Sequence, residues 1–126
     1  MCRDDDNYYV ISEFLYGDLQ DELEKQGRFN EHDTSHIINQ VLLGTYYLHM
    51  RDVIHRDLKP ANVLWGDAEK TFIKIADFGL AEEMPEGKTY YNKKVGTPHF
   101  KAPEMIKIMG KYNNKIDVWA IGVMAY

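Results

Sequence analysis

The segment from residue 30 to residue 50 constrains this chain more than any other. Ile37, Ile38, Val41, Leu42, Thr45 and Leu48 recur at helical spacings, the period of an α-helix with one face turned inward. Asn30 stands just ahead as an N-cap, with Asp33 three residues later as a weaker form of the capping box. The pattern predicts a helix from about Glu31 to Met50, ~30 Å long at the α-helical rise.

Shorter elements flank it. Tyr8-Tyr9-Val10-Ile11, aromatic and β-branched, reads as a mostly buried strand. A short helix opens at Asp18-Leu19, carries acids in its first turn where the dipole favours them, and is closed by Gly27. Beyond Val53-Ile54 the helical period stops, and Pro60 biases Lys59 away from helical angles. Val63-Leu64-Trp65 and Phe72-Ile73-Lys74-Ile75, joined through Gly66-Asp67, predict a hairpin. From Glu82 to Lys94 the chain is polar and holds Pro85 and Gly87, the pattern of a mobile loop. Helical periods return at about Ala102–Met109 and Ile116–Tyr126, the last apolar nearly all round, as in a helix buried on every side.

At 126 residues one domain is expected, and 44% apolar with 28% charged residues is ordinary for a soluble globular chain. A formal charge of −5 argues against a nucleic-acid partner or an anionic membrane surface. No apolar run approaches the ~18 residues of a membrane span, and no secretory leader opens the chain. The single cysteine, Cys2, cannot form an internal disulfide, which points to a reducing, cytoplasmic setting.

Three short motifs follow one another in the second half. His55-Arg56-Asp57-Leu58-Lys59-Pro60-Ala61-Asn62 fits H-R-D-x-x-x-x-N, Asp77-Phe78-Gly79 fits D-F-G, and Ala102-Pro103-Glu104 fits A-P-E. Singly, each has a bland reading: Asp57 and Asn62 as turn or cap residues, Asp77 as a hairpin end, Lys59 as a solvated charge. In this order and at these separations they resemble the catalytic loop, metal-binding motif and activation segment of eukaryotic-type Ser/Thr protein kinases. Gly17-Asp18-Leu19 and Gly96-Thr97-Pro98 are most similar to the calcium/calmodulin-dependent group.

The resemblance implies an α+β fold, a partial kinase domain with the hinge strand and the mainly helical C-lobe as far as the helix after the activation segment. Its parts are a hinge at 12–17, a catalytic loop at 55–62 and an activation segment at 77–104. ATP and Mg²⁺ are the implied cofactors, and a Ser or Thr hydroxyl of a protein substrate the acceptor. Phosphoryl transfer needs positioning and positive charge more than covalent help. The implied catalytic residues are Asp57 beside the acceptor hydroxyl, Lys59 neutralising phosphate charge, Thr97 bridging the two, and Asn62. Asn62 and Asp77 are the implied metal ligands, oxygen donors of the kind Mg²⁺ prefers. Backbone groups of Glu13 and Leu15 are expected at the adenine edge, Asp18 at the ribose and Leu64 beneath the ring. Their bland readings are an ordinary strand end, a helix N-terminal acid and a core leucine. His55 and Phe78 are implied to stack in an internal spine, Asp117 to anchor the catalytic-loop backbone, and Glu104 to pair with an arginine that this chain lacks. Arg56 implies control by phosphorylation, with Thr89 first and then Tyr90 and Tyr91 as candidate phosphosites.

The chain also departs from that pattern. It has no Gly-x-Gly-x-x-Gly phosphate loop, no strand lysine to pair with a helix glutamate, and no helices beyond Tyr126. The expectation is a fragment that needs the missing kinase-domain segments, poorly stable and inert alone. Ala61 stands where many basophilic kinases carry Glu, which weakens an arginine-directed specificity. The competing reading is a catalytically inert kinase-like interaction module. Intact Asp57, Asn62 and Asp77 speak against it, because a scaffold needs none of them. A bare α/β domain with chance motifs is the remaining alternative.

Overall fold

The computed structural model describes residues 2–3, 7–83, 93–107 and 111–126. Two helices open the ordered framework. In α1, Leu19–Gln26, the Asp18 carboxylate accepts the Asp21 amide at 2.9 Å, and Gly27, at φ 82°, closes the last turn by donating to Leu23 O. In α2, Glu31–His49, the cap is reciprocal. Asn30 Oδ1 accepts from the Asp33 amide at 2.8 Å while Asn30 Nδ2 donates to Asp33 Oδ2, also at 2.8 Å. The predicted helix is therefore present within one residue at its C-terminus.

The strands are short and form three separate antiparallel pairs. β1, Cys2–Arg3, pairs with β2, Tyr8–Tyr9; β3, Val53–Ile54, pairs with β6, Glu82–Glu83; β4, Val63–Trp65, pairs with β5, Ile73–Ile75. The β4–β5 hairpin closes where Gly66 N donates to Phe72 O, so Phe72 ends the turn and is not part of the strand. The Asp67 carboxylate holds that turn by accepting the Thr71 amide and hydroxyl. Residues 16–18 run along β4: Tyr16 N donates to Trp65 O and Trp65 N to Gly17 O, each at 2.9 Å. Two further helices follow, α3, Pro103–Ile106, and α4, Lys115–Ala125.

α2 crosses α4 and backs onto β5, so its Ile37 and Val41 enter a core with Leu19, Leu58, Val63, Trp65, Ala120 and Ile121. A second cluster of Ile54, Ala102, Met105, Tyr112 and Ile116 joins β3 to α3 and α4. The catalytic-loop segment is suspended between the two clusters, entering from Ile54 and leaving at Val63, both 0% exposed.

Two expectations are corrected. The strand predicted over Tyr8–Ile11 stops at Tyr9, and Val10 and Ile11 are each 78% exposed, because no described element lies against them. The helix predicted over Ala102–Met109 is the single turn α3, started by Pro103 at its first position; residues 108–110 lie outside the described residues. α4, by contrast, has one open side, as expected of an apolar last helix with nothing described to cover it. Ile116, Asp117, Ala120 and Ile121 face the core while Val118 and Trp119 are about half exposed. No helix among the described residues is long and apolar enough to cross a membrane.

Candidate active site

Asp57 is the hub of the loop after β3. Its Oδ1 accepts from the Thr97 amide and the Thr97 hydroxyl, both at 2.7 Å. Lys59 Nζ reaches Thr97 Oγ1 at 2.9 Å and Asp57 Oδ2 at 3.0 Å. Asn62 Nδ2 donates to Asp57 O at 2.8 Å and lies 3.3 Å from Asp57 Oδ2. One carboxylate, one ammonium, one hydroxyl and one amide thus form a closed cluster. Burial pushes the Asp57 carboxyl up, but the hydrogen bonds from Thr97 and Lys59 and the lysine charge outweigh it. The group is held below the usual carboxylate value and is ionised at neutral pH.

Contacts remote in sequence hold this loop. Asp117, 1% exposed, accepts His55 N on Oδ2 at 3.0 Å and Arg56 N on Oδ1 at 2.9 Å, and His49 Nε2 lies 2.9 Å from Oδ2. Those bonds hold Arg56 at φ 70°, a left-handed conformation that costs a non-glycine residue roughly 1–2 kcal/mol. His55 uses both ring nitrogens: Nδ1 accepts the Asp57 amide at 3.3 Å and Nε2 donates to Ala76 O at 3.0 Å. With both committed it is unsuited to proton transfer, as its buried position suggests. Gly96, at φ 89°, passes so close that an added Cβ would sit 2.4 Å from Arg56 O.

Asp77 comes to the same end of the β4–β5 hairpin. Val63 pairs with Ile75, and one step beyond, Ala76 N donates to Asn62 O at 2.9 Å. Asp77 is left-handed, at φ 61°, and its Oδ1 accepts the Gly79 amide at 3.2 Å. The donor chemistry fits a hard divalent cation. The Asn62 amide nitrogen is committed to Asp57, which leaves its carbonyl oxygen, and Asp77 keeps Oδ2. A groove of about 340 Å³ between α1, α2 and α4 shares no residue with this cluster.

The sequence matches the protein kinase domain family along residues 1–126. The chain belongs to the protein kinase family. It is 41% identical to calcium-dependent protein kinase 4 of Plasmodium berghei, over 98% of this chain and 24% of that protein. It is 39% identical to calcium-dependent protein kinase 5 of the same organism, over 98% of this chain and 22% of the relative. With the serine/threonine-protein kinase dkf-1 of Caenorhabditis elegans it shares 38% identity over 100% of this chain and 18% of the relative. These relatives agree with the resemblance to the calcium/calmodulin-dependent group, and the kinase chain spans about a quarter or less of their length.

The other expected kinase positions divide. Leu15 is half-buried, and its backbone groups make no hydrogen bond among the described residues. The Glu13 carboxylate is paired with Lys74, and its backbone carbonyl accepts the Ser12 hydroxyl at 3.4 Å. Leu64 is half-buried on β4, bridged to Asp18. Asp18 itself is spent as the α1 cap, so it meets the bland reading directly. Phe78 touches His55, ring centroids 5.1 Å apart, but is 47% exposed, because nothing described covers its other face. Glu104 is half-buried, not enclosed, and has no ion-pair partner among the described residues. Thr89, Tyr90 and Tyr91 lie outside the described residues.

Arg56 differs from a guanidinium waiting for phosphate. Its Nη1 is 2.5 Å from Glu82 Oε2 and its Nε donates to Leu80 O at 2.6 Å. Glu82 also faces Lys93 Nζ at 3.5 Å, and the Tyr112 hydroxyl donates to Lys93 O at 2.7 Å. Reasoning from motifs missed His49, Glu82 and Tyr112. His49 lies 68 residues from Asp117, and no local spacing announces such a pair.

Proposed function

We propose that this chain is the catalytic-loop and activation-segment part of a Ser/Thr protein kinase that transfers the γ-phosphate of ATP to protein hydroxyls. One observation carries the reading: the Asp57–Thr97–Lys59 cluster, with Asn62 closing it and Asp77 at the neighbouring hairpin end. In it, ionised Asp57 orients the acceptor hydroxyl and takes its proton as the bond to phosphorus forms. Thr97 fixes the carboxylate so that it does not turn away, and Lys59 sets positive charge beside the transferred group. Asn62 Oδ1 and Asp77 Oδ2 would hold Mg²⁺. Bound Mg-ATP supplies the phosphoryl group and neutralises the charge on its oxygens. Glu13 and Leu15 offer backbone groups to the adenine, with Leu64 beneath it. Thr89 is the first choice for a regulatory phosphosite, and a cytoplasmic location goes with the lone cysteine.

The 126-residue chain by itself is inert in this reading. Val10, Ile11 and Phe14, each 78% exposed, present an apolar surface beside the expected adenine edge with nothing described above it. The test is a γ-phosphate transfer assay on the full-length protein that carries this chain, beside Asp57→Asn. Transfer falls by at least a hundredfold in the variant if Asp57 has this role. Equal rates would remove the proposal.

A further inference from the structure

We propose that a lysine-rimmed groove beside Thr97 selects protein substrates with acidic residues within about two or three positions of the acceptor. The inference rests on the kinase reading of Asp57 and adds a substrate class to it.

The groove encloses about 260 Å³ and is lined by Lys94, Pro98, Lys101, Met105 and Ile106. Its floor is apolar: Met105 is buried and Ile106 is 60% exposed. Its rim is cationic. Lys94 and Lys101 have no carboxylate partner among the described residues, whereas the adjacent Lys93 is already engaged by Glu82 at 3.5 Å. A pair of unneutralised ammonium groups over an apolar floor is complementary to a peptide carrying carboxylates, whose side-chain stems cover the floor while their charges reach the rim.

Position ties the groove to the chemistry. Pro98 follows Thr97, whose hydroxyl is 2.7 Å from Asp57 Oδ1. Consecutive Cα atoms are ~3.8 Å apart, so a peptide with its hydroxyl at Asp57 enters the groove within a few residues. The rest of the chain sharpens the contrast. The formal charge is −5 overall, so a local cationic groove stands against the net charge of the chain and favours an acidic peptide there. Ala61 in the catalytic loop supplies no acid that would draw basic residues instead. The same lysines on a convex surface would be an ordinary solvated face. The apolar floor and the adjoining Asp57 cluster set this pair apart.

The experiment uses the full-length protein carrying this chain and fluorescein-labelled peptides with one serine, flanked on either side by Asp-Asp or by Lys-Lys. Anisotropy should show the acidic peptide binding roughly tenfold more tightly, each exposed lysine–carboxylate pair contributing a factor of about two to five. The preference should shrink in high salt. The double variant K94E/K101E should reverse it, and the milder K94Q/K101Q, which keeps side-chain bulk, should abolish it. Equal affinity for both peptides, or a preference that survives K94Q/K101Q in folded protein, overturns the inference. Phosphate transfer to the same peptides separates the two claims. Acidic preference in binding without any transfer removes the kinase reading and leaves the groove; transfer without acidic preference does the reverse.

Discussion

Replacing Asp117 by asparagine tests how the loop geometry is maintained. The side chain is 1% exposed and accepts the His55 amide at 3.0 Å, the Arg56 amide at 2.9 Å and His49 Nε2 at 2.9 Å. Asparagine keeps the shape but has one acceptor atom. Whichever way its amide turns, an NH₂ group faces a backbone N–H that has no other partner: Arg56 N in one orientation, His55 N in the other. An orphaned buried donor costs about 1–3 kcal/mol, and the surviving bonds lose their charge reinforcement, so a total of roughly 2–4 kcal/mol is expected. Relaxation of the left-handed Arg56, at φ 70°, favours opening further. That sum corresponds to a local opening about 30 to 1,000 times more populated. Amide hydrogen exchange reads it residue by residue when exchange follows the opening equilibrium. In Asp117→Asn the amides of His55 and Arg56 should exchange at least about thirtyfold faster, with Val41 in α2 unchanged. Acceleration of less than about threefold at both would refute the idea that this carboxylate holds the loop.

Gly96→Ala puts a Cβ 2.4 Å from Arg56 O at a φ of 89°; stability should fall by at least about 1–2 kcal/mol in a denaturant melt. Thr97→Val removes a bond that depresses the Asp57 carboxyl, so its titration, followed by carboxyl-carbon NMR, should move up toward the ordinary value of ~3.9. The sign for stability follows. Because the folded-state value is lowered, Asp57 contributes fully above the unfolded value. That contribution is lost as pH falls from the unfolded value through the folded one, so in Thr97→Val the acid-side loss should be smaller and complete at higher pH. Asn30→Ala should lower helix stability by about 1 kcal/mol, read as a lower melting temperature, since both members of the reciprocal cap with Asp33 are lost.

What sequence made legible is what depends on neighbours along the chain. The α2 period, the cap at Asn30, the break before Pro60 and the β4–β5 hairpin are all local, and all are present within a residue or two. The Asp57, Lys59, Thr97 and Asn62 grouping came from family resemblance, and the side chains do meet. Burial did not follow from pattern. Val10 and Ile11 have the residue types of an inner strand, yet burial needs a second surface, and no described element supplies one. Asp18 shows the opposite: a carboxylate one residue ahead of a helix satisfies the first-turn amides before it can serve a distant ligand. His49 and Glu82 were invisible because their partners, Asp117 and Arg56, are fixed by the packing of α4 and the β3–β6 pair.

The loop that carries Asp57 has little structure of its own. Within 55–62 the stabilising bonds are Asn62 to Asp57, Asp57 N to His55 and the 3₁₀ turn Pro60–Asn62. Lys59 and Asn62 add local contacts to Asp57 Oδ2, but the bonds that fix Oδ1 and the loop backbone come from far away: Thr97 from 40 residues on, Asp117 from 61 and 62 residues beyond Arg56 and His55. Arg56 extends the same logic to the neighbouring segment, its guanidinium side chain 5% exposed and clamped to Leu80 O and Glu82. A buried guanidinium needs a counter-charge, and removing that partner costs several kcal/mol where no water replaces it. Glu82, itself partly exposed, is the counter-charge that ties this segment to Arg56. Loosening α4 or the β3–β6 pair should disorder the aim of Asp57 before it disturbs the hydrophobic clusters, because the clusters rest on many contacts and the aim on a few.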